Sequence, residues 1–456
     1  MKTEIVGGSE KNIWSSMLFI TAFLILGWRI MDRIWLKPKK KERMLKQQGF
    51  KGNPYSLTRL LFGDVKENSI EYAEALRKTI NVHDEAVPRV MPFVHKTIEK
   101  YGKMSFIGIL NQEGEEWSKS RKTQNPSFQL EKNKDGSCVV DVMSHIEILT
   151  TKVVSRTLFA TDYAQDKRIY EILKELTAIA RQTTRIVDLP GAKYLPTMTN
   201  RRSEQIKNEL RKSFSILINE RAKAIKAGKT MDDNFFHVLL ESELAEAHGI
   251  KNMDDLIGNV QLFYFAGHET TTAMLVWTMI LLSIHQNWQE RARQEVFQVF
   301  GDRKPDYEGL SQLKIITMIF NEVLRLYPPI VELSRLVEEE TKLGQYTIPA
   351  DTLLMLPIII LHRDRELWGE DANEFKPERF AEGVLKATNG RLAFFPFGSG
   401  PRVCIGQNYS LLEAKLVLAN ILSNFSFELA PTYTHAPYVI FTVQPQYGAP
   451  LILRKI

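Results

Sequence analysis

The chain has 456 residues, of which 44% are hydrophobic and 25% are charged. This composition is typical of a globular protein and excludes an intrinsically disordered chain. The net charge of +6 is largely concentrated in one short stretch instead of a broad basic face with stacking aromatic residues, so we expect no nucleic-acid partner. The two cysteines, Cys138 and Cys404, exclude a disulfide framework and favour a reducing compartment, although a single bridge between them stays open.

An uncharged segment over residues 12–28 precedes a basic cluster. A bilayer span needs roughly 20 mostly apolar residues. The positive charge follows the apolar run, whereas in a cleaved signal peptide it comes first, so we favour a membrane anchor with the rest of the chain in the cytosol. We therefore predict an anchor with its basic flank over residues 1–44 and one large domain over residues 45–456. The cluster comprises Arg29, Arg33, Lys37, Lys39, Lys40, Lys41 and Arg43.

Helical periodicity dominates the rest of the chain, and strand patterns are few. No Ser/Gly-rich linker divides the sequence, which predicts one mainly α domain with a small β part. The predicted helices span residues 141–161, 167–184, 202–227, 253–285 and 287–300. The predicted strand segments span residues 343–348, 352–357 and 439–454.

The apolar helix over residues 256–282 carries the run Ala266-Gly267-His268-Glu269-Thr270-Thr271. A threonine in mid-helix can donate to the carbonyl four residues earlier, here from Thr270 to Ala266. No second histidine lies four residues from His268, so the zinc-protease pattern fails, and we expect His268 on a helix face near a cleft. Taken alone, the run is equally well explained as a core helix softened by glycine, with an exposed glutamate.

Two charged motifs follow, Glu322-Val323-Leu324-Arg325 and Pro377-Glu378-Arg379-Phe380. Residues three apart share one helix face, so Glu322 and Arg325 can pair. Such a pair is common on helix surfaces and carries no functional information by itself.

The segment Phe397–Gly406, with sequence FGSGPRVCIG, contains Cys404. An iron-bound thiolate needs a loop whose backbone amides point at sulfur, and glycines permit both that path and close approach to a flat cofactor. Residues 407–415 read as a helix whose N-terminus would favour the thiolate. The alternative is a buried structural cysteine in a turn.

These motifs, in this order, resemble the cytochrome P450 family, and the segments 45–55, 113–128 and 425–456 resemble its plant clan of secologanin-synthase-like enzymes. The resemblance implies haem b with Cys404 as the axial iron ligand. It also implies that Thr270 donates to dioxygen, that Glu269 relays protons from solvent, and that Gly267 leaves room for dioxygen. Arg379 would join Glu322 and Arg325 in a buried triad. Haem contacts are implied for Phe397, Arg402 and Gly406, and contacts with the haem carboxylates for Trp117, Arg121, Arg335 and Arg402.

The implied activity is a monooxygenase reaction that inserts one oxygen atom from O₂ into a hydrophobic small molecule of terpenoid, steroid or hormone type. Electrons would come from NADPH through NADPH–cytochrome P450 reductase. The anchor implies contact with membrane lipid, with the catalytic domain on the cytosolic face of the endoplasmic reticulum. Candidate pocket residues, for each of which core packing is the alternative, are Phe263, Phe265, Ile330, Val331 and Val443.

The chain departs from the family pattern in two places. The connections between Lys103 and Glu113 and after Lys132 are shorter than the family's strands, helix and substrate-contacting loop require. One alternative is therefore a membrane-tethered haem binder with impaired catalysis. A second alternative is a haem-thiolate enzyme that rearranges peroxides without a reductase, against which the pair Glu269-Thr270 argues.

Overall fold

The computed structural model describes residues 21, 23–29, 31–54, 64–103, 105–106, 137–159, 169, 171–172, 175, 197–226, 235–247, 253–439 and 441–456. Within these ranges the protein is mainly helical with a small β part, which confirms the predicted fold class. The helices are α1 (Lys37–Gln47), α2 (Asp64–Arg77), α3 (Val87–Val90), α4 (Pro92–Tyr101), α5 (Val142–Leu158), α6 (Met198–Lys226), α7 (Phe235–Ala247), α8 (Met253–Ile284), α9 (Gln286–Phe300), α10 (Tyr307–Gln312), α11 (Lys314–Leu326), α12 (Ile358–Leu361), α13 (Arg365–Trp368), α14 (Val384–Ala387) and α15 (Gln407–Asn424).

Short helical turns of other types flank these elements, a π-helical turn at Asp32–Leu36 and 3₁₀ turns at Pro377–Phe380 and Gly400–Arg402. The predicted helices over residues 141–161, 202–227, 253–285 and 287–300 correspond to α5, α6, α8 and α9. Most of the helix predicted over residues 167–184 lies outside the described residues.

The strands pair in small sheets. β1 pairs with β2 in parallel, β5 with β6 and β9 with β10 antiparallel, β4 lies beside β7, and β11 lies between β3 and β8. The strands are β1 (Lys51–Gly52), β2 (Ser105–Phe106), β3 (Cys138–Asp141), β4 (Leu333–Val337), β5 (Thr341–Leu343), β6 (Tyr346–Ile348), β7 (Thr352–Leu356), β8 (Phe425–Leu429), β9 (Pro437–Val439), β10 (Val443–Pro445) and β11 (Pro450–Lys455).

Two predicted strand segments are divided in the structure. The segment over residues 343–348 is a hairpin that turns at Gly344, whose φ of +60° suits glycine. The segment over residues 439–454 contains the end of β9, all of β10 and most of β11. Turn residues within an apolar stretch account for both differences, because glycine and proline interrupt an extended strand.

The chain divides into two compact units, and the smaller one comprises residues 1–71, 93–112 and 335–354. Helix α1 lies against the β5–β6 hairpin in this unit. Gln48 donates through Nε2 to the Thr347 carbonyl oxygen at 2.8 Å and accepts from the Thr347 amide through Oε1 at 2.5 Å. Lys41 Nζ donates to the Asp351 carbonyl oxygen at 2.7 Å. The basic flank is thereby fixed to the small β structure of this unit.

The larger unit comprises residues 72–92, 113–334 and 355–456. Its central element is α8, which is buried throughout from Thr271 to Ser283 and carries mostly apolar side chains there, as expected of a core helix. Helix α5 starts at the capping side chain of Asp141, which accepts from the Met143 amide. The core between α5, α6, α7 and α8 is formed by apolar side chains that include Val154, Leu210, Phe214, Phe236, Val260 and Tyr264.

The predicted membrane anchor lies mostly outside the described residues. Among the helices that the structure describes, none is both long and apolar enough to cross a membrane. The anchor over residues 1–44 and the domain over residues 45–456 therefore stay predictions.

Candidate active site

Cys404 lies on a tight loop that is closed by its own backbone. The Cys404 N–H donates to the carbonyl oxygen of Phe397 at 2.9 Å. Gly398 and Gly400 have φ angles of +72° and +70°, a conformation that strains any residue with a Cβ. Sγ lies 3.9 Å from the position that a Cβ on Gly406 would occupy. The path of the loop therefore depends on Gly398 and Gly400, whereas a side chain at Gly406 would make only an ordinary contact with the sulfur.

The thiol of Cys404 is free and the residue is exposed. Gly406 is the N-cap of the 18-residue helix α15. Unpaired amides at a helix N-terminus carry partial positive charge, and this end of α15 begins two residues after Cys404. A thiolate at this position is a suitable ligand for iron.

Glu322, Arg325 and Arg379 lie together in the larger unit. Arg325 donates to both carboxylate oxygens of Glu322, from Nε at 2.7 Å and from Nη2 at 2.8 Å, and both side chains are fully buried. Arg379 Nε lies 3.4 Å from Glu322 Oε1, and Arg379 Nη2 pairs with Asp371 at 2.7 Å. Arg325 also donates to the backbone carbonyl oxygens of His362, Ala372 and Glu374.

His362 links this triad to the cysteine loop. Its carbonyl oxygen accepts from Arg325, and its Nε2 accepts from the Phe395 N–H at 3.0 Å. The Phe395 carbonyl oxygen in turn accepts from the Gly398 N–H. Burial, followed by the positive charge of Arg325, lowers the pKa of His362 to about 3. The imidazole is therefore neutral at pH 7, as an acceptor must be.

Acid is expected to destabilise the protein through two buried histidines. Burial also lowers the pKa of His435 to about 4. Because the folded pKa values lie below the unfolded value of about 6.5, the unfolded state binds more protons below pH 6.5, and each histidine removes about 1.4 kcal/mol per pH unit from there down to its folded pKa. Unfolding by urea between pH 7 and pH 4.5 measures this slope.

A shallower slope is expected for His362→Asn, whereas His145→Gln, at an exposed position, is the control and should keep the slope of the parent protein. If the His362→Asn variant and the parent protein had the same slope, the pKa of His362 would not be lowered in the folded state.

On α8, the hydroxyls of the run Ala266–Thr271 and of Thr272 donate to backbone carbonyl oxygens of the same helix. Thr270 Oγ1 donates to the Ala266 carbonyl oxygen at 2.8 Å, as the sequence predicts, and Thr270 is partly exposed. Thr272 Oγ1 lies 2.7 Å from Thr150 Oγ1 on α5. These contacts join the two helices and leave Thr270 at a surface that a ligand can reach.

The glycine and the histidine of this run differ from their predicted surroundings. A Cβ on Gly267 would lie 3.1 Å from Cγ2 of Val154, so the glycine serves close packing of α5 on α8, and the side chain of Val154 fills the space that we expected for dioxygen. His268 is 3% exposed, and its Nδ1 lies 2.7 Å from the Tyr264 carbonyl oxygen. It therefore belongs to the core and not to a cleft.

Glu269 is buried, with 7% of its surface exposed. Its Oε1 accepts from Thr442 Oγ1 at 3.1 Å and from Gln444 Nε2 at 2.5 Å. The alternative of an exposed glutamate on a core helix is therefore wrong. The sequence analysis missed Thr442 and Gln444, and the signal available for them was the polar residues on either side of Val443 in an otherwise apolar strand.

The other predicted site residues fall into two groups. Trp117 and Arg121 lie outside the described residues. Arg402 is exposed, Phe397 is half-buried, and Arg335 is half-buried on β4 in the smaller unit.

Among the predicted pocket residues, two belong to the core instead, because Val443 is fully buried and Phe263 packs on the core of α5 to α8. Val331 is buried as well, and Ile330 and Phe265 are half-buried.

A family model described as Cytochrome P450 matches residues 89–446 of the chain. The chain belongs to the cytochrome P450 family. It is 43% identical to 7-deoxyloganic acid hydroxylase of Catharanthus roseus, over 98% of this chain and 100% of that protein. It is 42% identical to secologanin synthase 1 of the same plant, over 94% of this chain and 95% of that protein. The resemblance to the plant clan is thus confirmed.

The comparisons also bear on chain length and fold. The alignment with 7-deoxyloganic acid hydroxylase extends over 523 residues, more than the 456 of this chain, so that relative has residues with no counterpart here. Among solved structures, retinoic acid-bound cyanobacterial CYP120A1 matches with a TM-score of 0.60 and 24% identity over 70% of each chain, which shows a common fold.

Family membership makes this P450 chain a haem monooxygenase that binds haem b through a cysteine thiolate. The loop of Cys404 fits this group, because it combines a free exposed thiol, the N-terminus of α15 two residues after the cysteine, and two glycines with positive φ that permit the tight path of the loop. Exposed apolar side chains on both sides of the cysteine, Val403 and Ile405, provide surface for an apolar neighbour.

Proposed function

We propose that this P450 inserts one oxygen atom from O₂ into a hydrophobic small molecule of terpenoid, steroid or hormone type, with electrons from NADPH through NADPH–cytochrome P450 reductase. The observation that carries the proposal is the free thiol of Cys404 on its glycine loop in a chain of this family. The names of the relatives, a 7-deoxyloganic acid hydroxylase and a secologanin synthase, support the substrate class. Aromatic surface supports it too, because Phe265 on α8 and Phe441 contact each other with ring centroids 5.3 Å apart.

In this proposal the thiolate of Cys404 would hold the iron of haem b, and the bound haem would supply dioxygen activation and electron transfer. Phe397 and Gly406 would contact the haem, and Arg402, Trp117, Arg121 and Arg335 would pair with its carboxylates. Glu269 would relay protons from solvent, and Thr270 would act as a hydrogen-bond donor. The Thr270 hydroxyl donates its one hydrogen to the Ala266 carbonyl oxygen in a hydrogen bond. In this rotamer the hydroxyl can only accept from another group, and it can donate to a different group after the side chain rotates.

The same proposal places the catalytic domain on the cytosolic face of the endoplasmic reticulum, held by the N-terminal segment. Apolar side chains support contact with lipid, because Phe23, Leu24 and Trp28 are 75%, 65% and 62% exposed. A cluster of large apolar side chains in water is unfavourable, and a membrane removes that cost. Membrane flotation of the full chain, compared with a variant that begins after residue 44, tests the anchor.

The first test is the carbon monoxide difference spectrum of the reduced, detergent-solubilised protein. A thiolate-type Soret band is expected for the parent protein, and Cys404→Ser is expected to lose it because serine cannot supply the thiolate. Cys138→Ser is the matched control. Cys138 is the other cysteine, half-buried on β3, and its replacement should leave the band unchanged.

Turnover with reductase across a terpenoid and steroid panel is the second step of this test. NADPH consumption with an oxygenated product is expected. A haem band without NADPH consumption on any substrate would favour the impaired haem binder. Turnover of a lipid hydroperoxide without reductase would favour the peroxide-rearranging alternative.

A further inference from the structure

Glu269 is held from one side by the C-terminal hairpin of β9 and β10. Thr442 and Gln444 are 1% and 6% exposed, and both donate to the same carboxylate oxygen, Oε1. Gln444 Nε2 also lies 3.2 Å from Thr442 Oγ1. The three side chains therefore form a closed, buried hydrogen-bonded ring between α8 and β10.

The hairpin that carries these two side chains is itself firmly fixed in the larger unit. The Val443 N–H donates to the Pro329 carbonyl oxygen at 3.0 Å, and the Val443 carbonyl oxygen accepts from Trp277 Nε1 at 2.9 Å. Arg89, which is buried, donates to the Pro437 carbonyl oxygen and to the side chain of Gln446. Because both ends of β10 are anchored, Thr442 and Gln444 have little freedom to follow a moving carboxylate.

The two oxygens of Glu269 consequently differ. Oε1 accepts two hydrogen bonds, whereas among the described residues none donates to Oε2 and none forms an ion pair with the carboxylate. Two neutral donors therefore hold Oε1 without the strong attraction of a cation. Oε2 is the carboxylate oxygen that these contacts leave without a donor among the described residues.

We propose that Thr442 and Gln444 are positioning residues that hold Oε1 of Glu269, so that Oε2 is the atom that carries the proton during oxygen activation. This inference rests on the proposed function of Glu269 as a proton relay. Oε2 would hold and release one proton, which it would take up again from water, while Oε1 keeps both hydrogen bonds. Neither Thr442 nor Gln444 exchanges a proton in this step.

The test uses Thr442→Val and Gln444→Leu, which remove one donor each with little change in shape. Thr432→Val is the matched control, because Thr432 is exposed in the turn before β9 and takes no part in holding Glu269 or in anchoring β10. The full holoprotein is assayed with reductase and a turned-over substrate from the panel. The fraction of NADPH electrons recovered in product is expected to fall about tenfold in the two test variants, the factor that one hydrogen bond to a charged group supports. The solvent deuterium isotope effect is expected to rise.

A second readout does not depend on turnover. The infrared difference between the parent protein and Glu269→Gln identifies the carboxyl band of Glu269. That band is expected to shift in Thr442→Val and Gln444→Leu and to stay in place in Thr432→Val. Unchanged coupling, isotope effect and band in the two test variants, with an active parent protein, would overturn the inference. If the parent protein binds haem but does not turn over, the proposed function fails, and the infrared band alone still decides the positioning.

Discussion

Glu322→Gln is expected to lower the free energy of unfolding by about 3–5 kcal/mol, because removal of one partner leaves the other charge buried and uncompensated. Glu322 and Arg325 are both fully buried, and their two hydrogen bonds are 2.7 and 2.8 Å long. The carboxylate also accepts from the Lys376 N–H at 2.9 Å. Glutamine keeps the shape but cannot accept from both nitrogens of Arg325, so the loss reports charge and not volume. Unfolding by urea, followed by tryptophan fluorescence, measures it.

A pair with the same spacing on α9 is the control. Arg293 and Glu290 are three residues apart with 2.6 Å between Nη1 and Oε2, but Glu290 is 53% exposed. Glu290→Gln is expected to cost less than 1 kcal/mol, because water screens an exposed ion pair. If Glu322→Gln cost no more than Glu290→Gln, burial of the triad would not be what stabilises it. The double variant Glu322→Gln/Arg325→Leu should recover part of the loss, since it removes the unpaired charge.

The triad of Glu322, Arg325 and Arg379 also shows which contacts can be predicted from the spacing of residues along one helix. Residues three apart on a helix share a face, so the pair of Glu322 and Arg325 could be predicted from the sequence alone. The addition of Arg379 depended on the family resemblance, because no local rule sets the distance between two helical segments of a folded chain. The structure explains why the three side chains meet, since Arg379 also donates to the carbonyl oxygens of Trp368 and Asp371 and is fixed there.

For a related reason, the residues that contact Glu269 and Gly267 on α8 could not be predicted from the sequence. The donors to Glu269 lie 173 and 175 residues further along the chain, and only the fold brings β10 beside α8. The Thr270 hydroxyl bond was predictable, because it is local to the helix. Gly267 was interpreted as space for a ligand, and the tertiary packing of Val154 gives it another role. Hydrogen bonds within one helix could therefore be predicted from the sequence, whereas contacts between elements far apart in the chain could not.

Glu413, on the helix behind the cysteine loop, was also missed by the sequence analysis. It is 5% exposed, and neither of its carboxylate oxygens has a hydrogen-bond partner among the described residues. Burial raises the pKa of Glu413 to about 8, so the folded protein keeps this carboxyl protonated at pH 7. Tyr409, one turn earlier, donates to or accepts from Thr157, and burial, with the nearby Glu413, raises the pKa of Tyr409 to about 12.

Glu413→Met is expected to raise the free energy of unfolding by about 3 kcal/mol at pH 7. The folded pKa lies above the unfolded value of about 4.5, so between these values the folded state binds more protons and stability falls as pH rises. The advantage of the variant should therefore be small near pH 4.5, grow up to pH 8 and then stay constant. Urea unfolding at pH 5, 6, 7 and 8 measures this dependence.

Glu339→Met, at an exposed position, is the control, and its free energy of unfolding should stay within about 0.5 kcal/mol of the parent value at every pH. A pH-independent difference for Glu413→Met would show that the carboxylate has a stabilising partner. Haem content is measured on the same samples, because a destabilising buried group is retained where it serves function. Higher stability with weaker haem retention would assign Glu413 a role in supporting the loop of Cys404 from within α15.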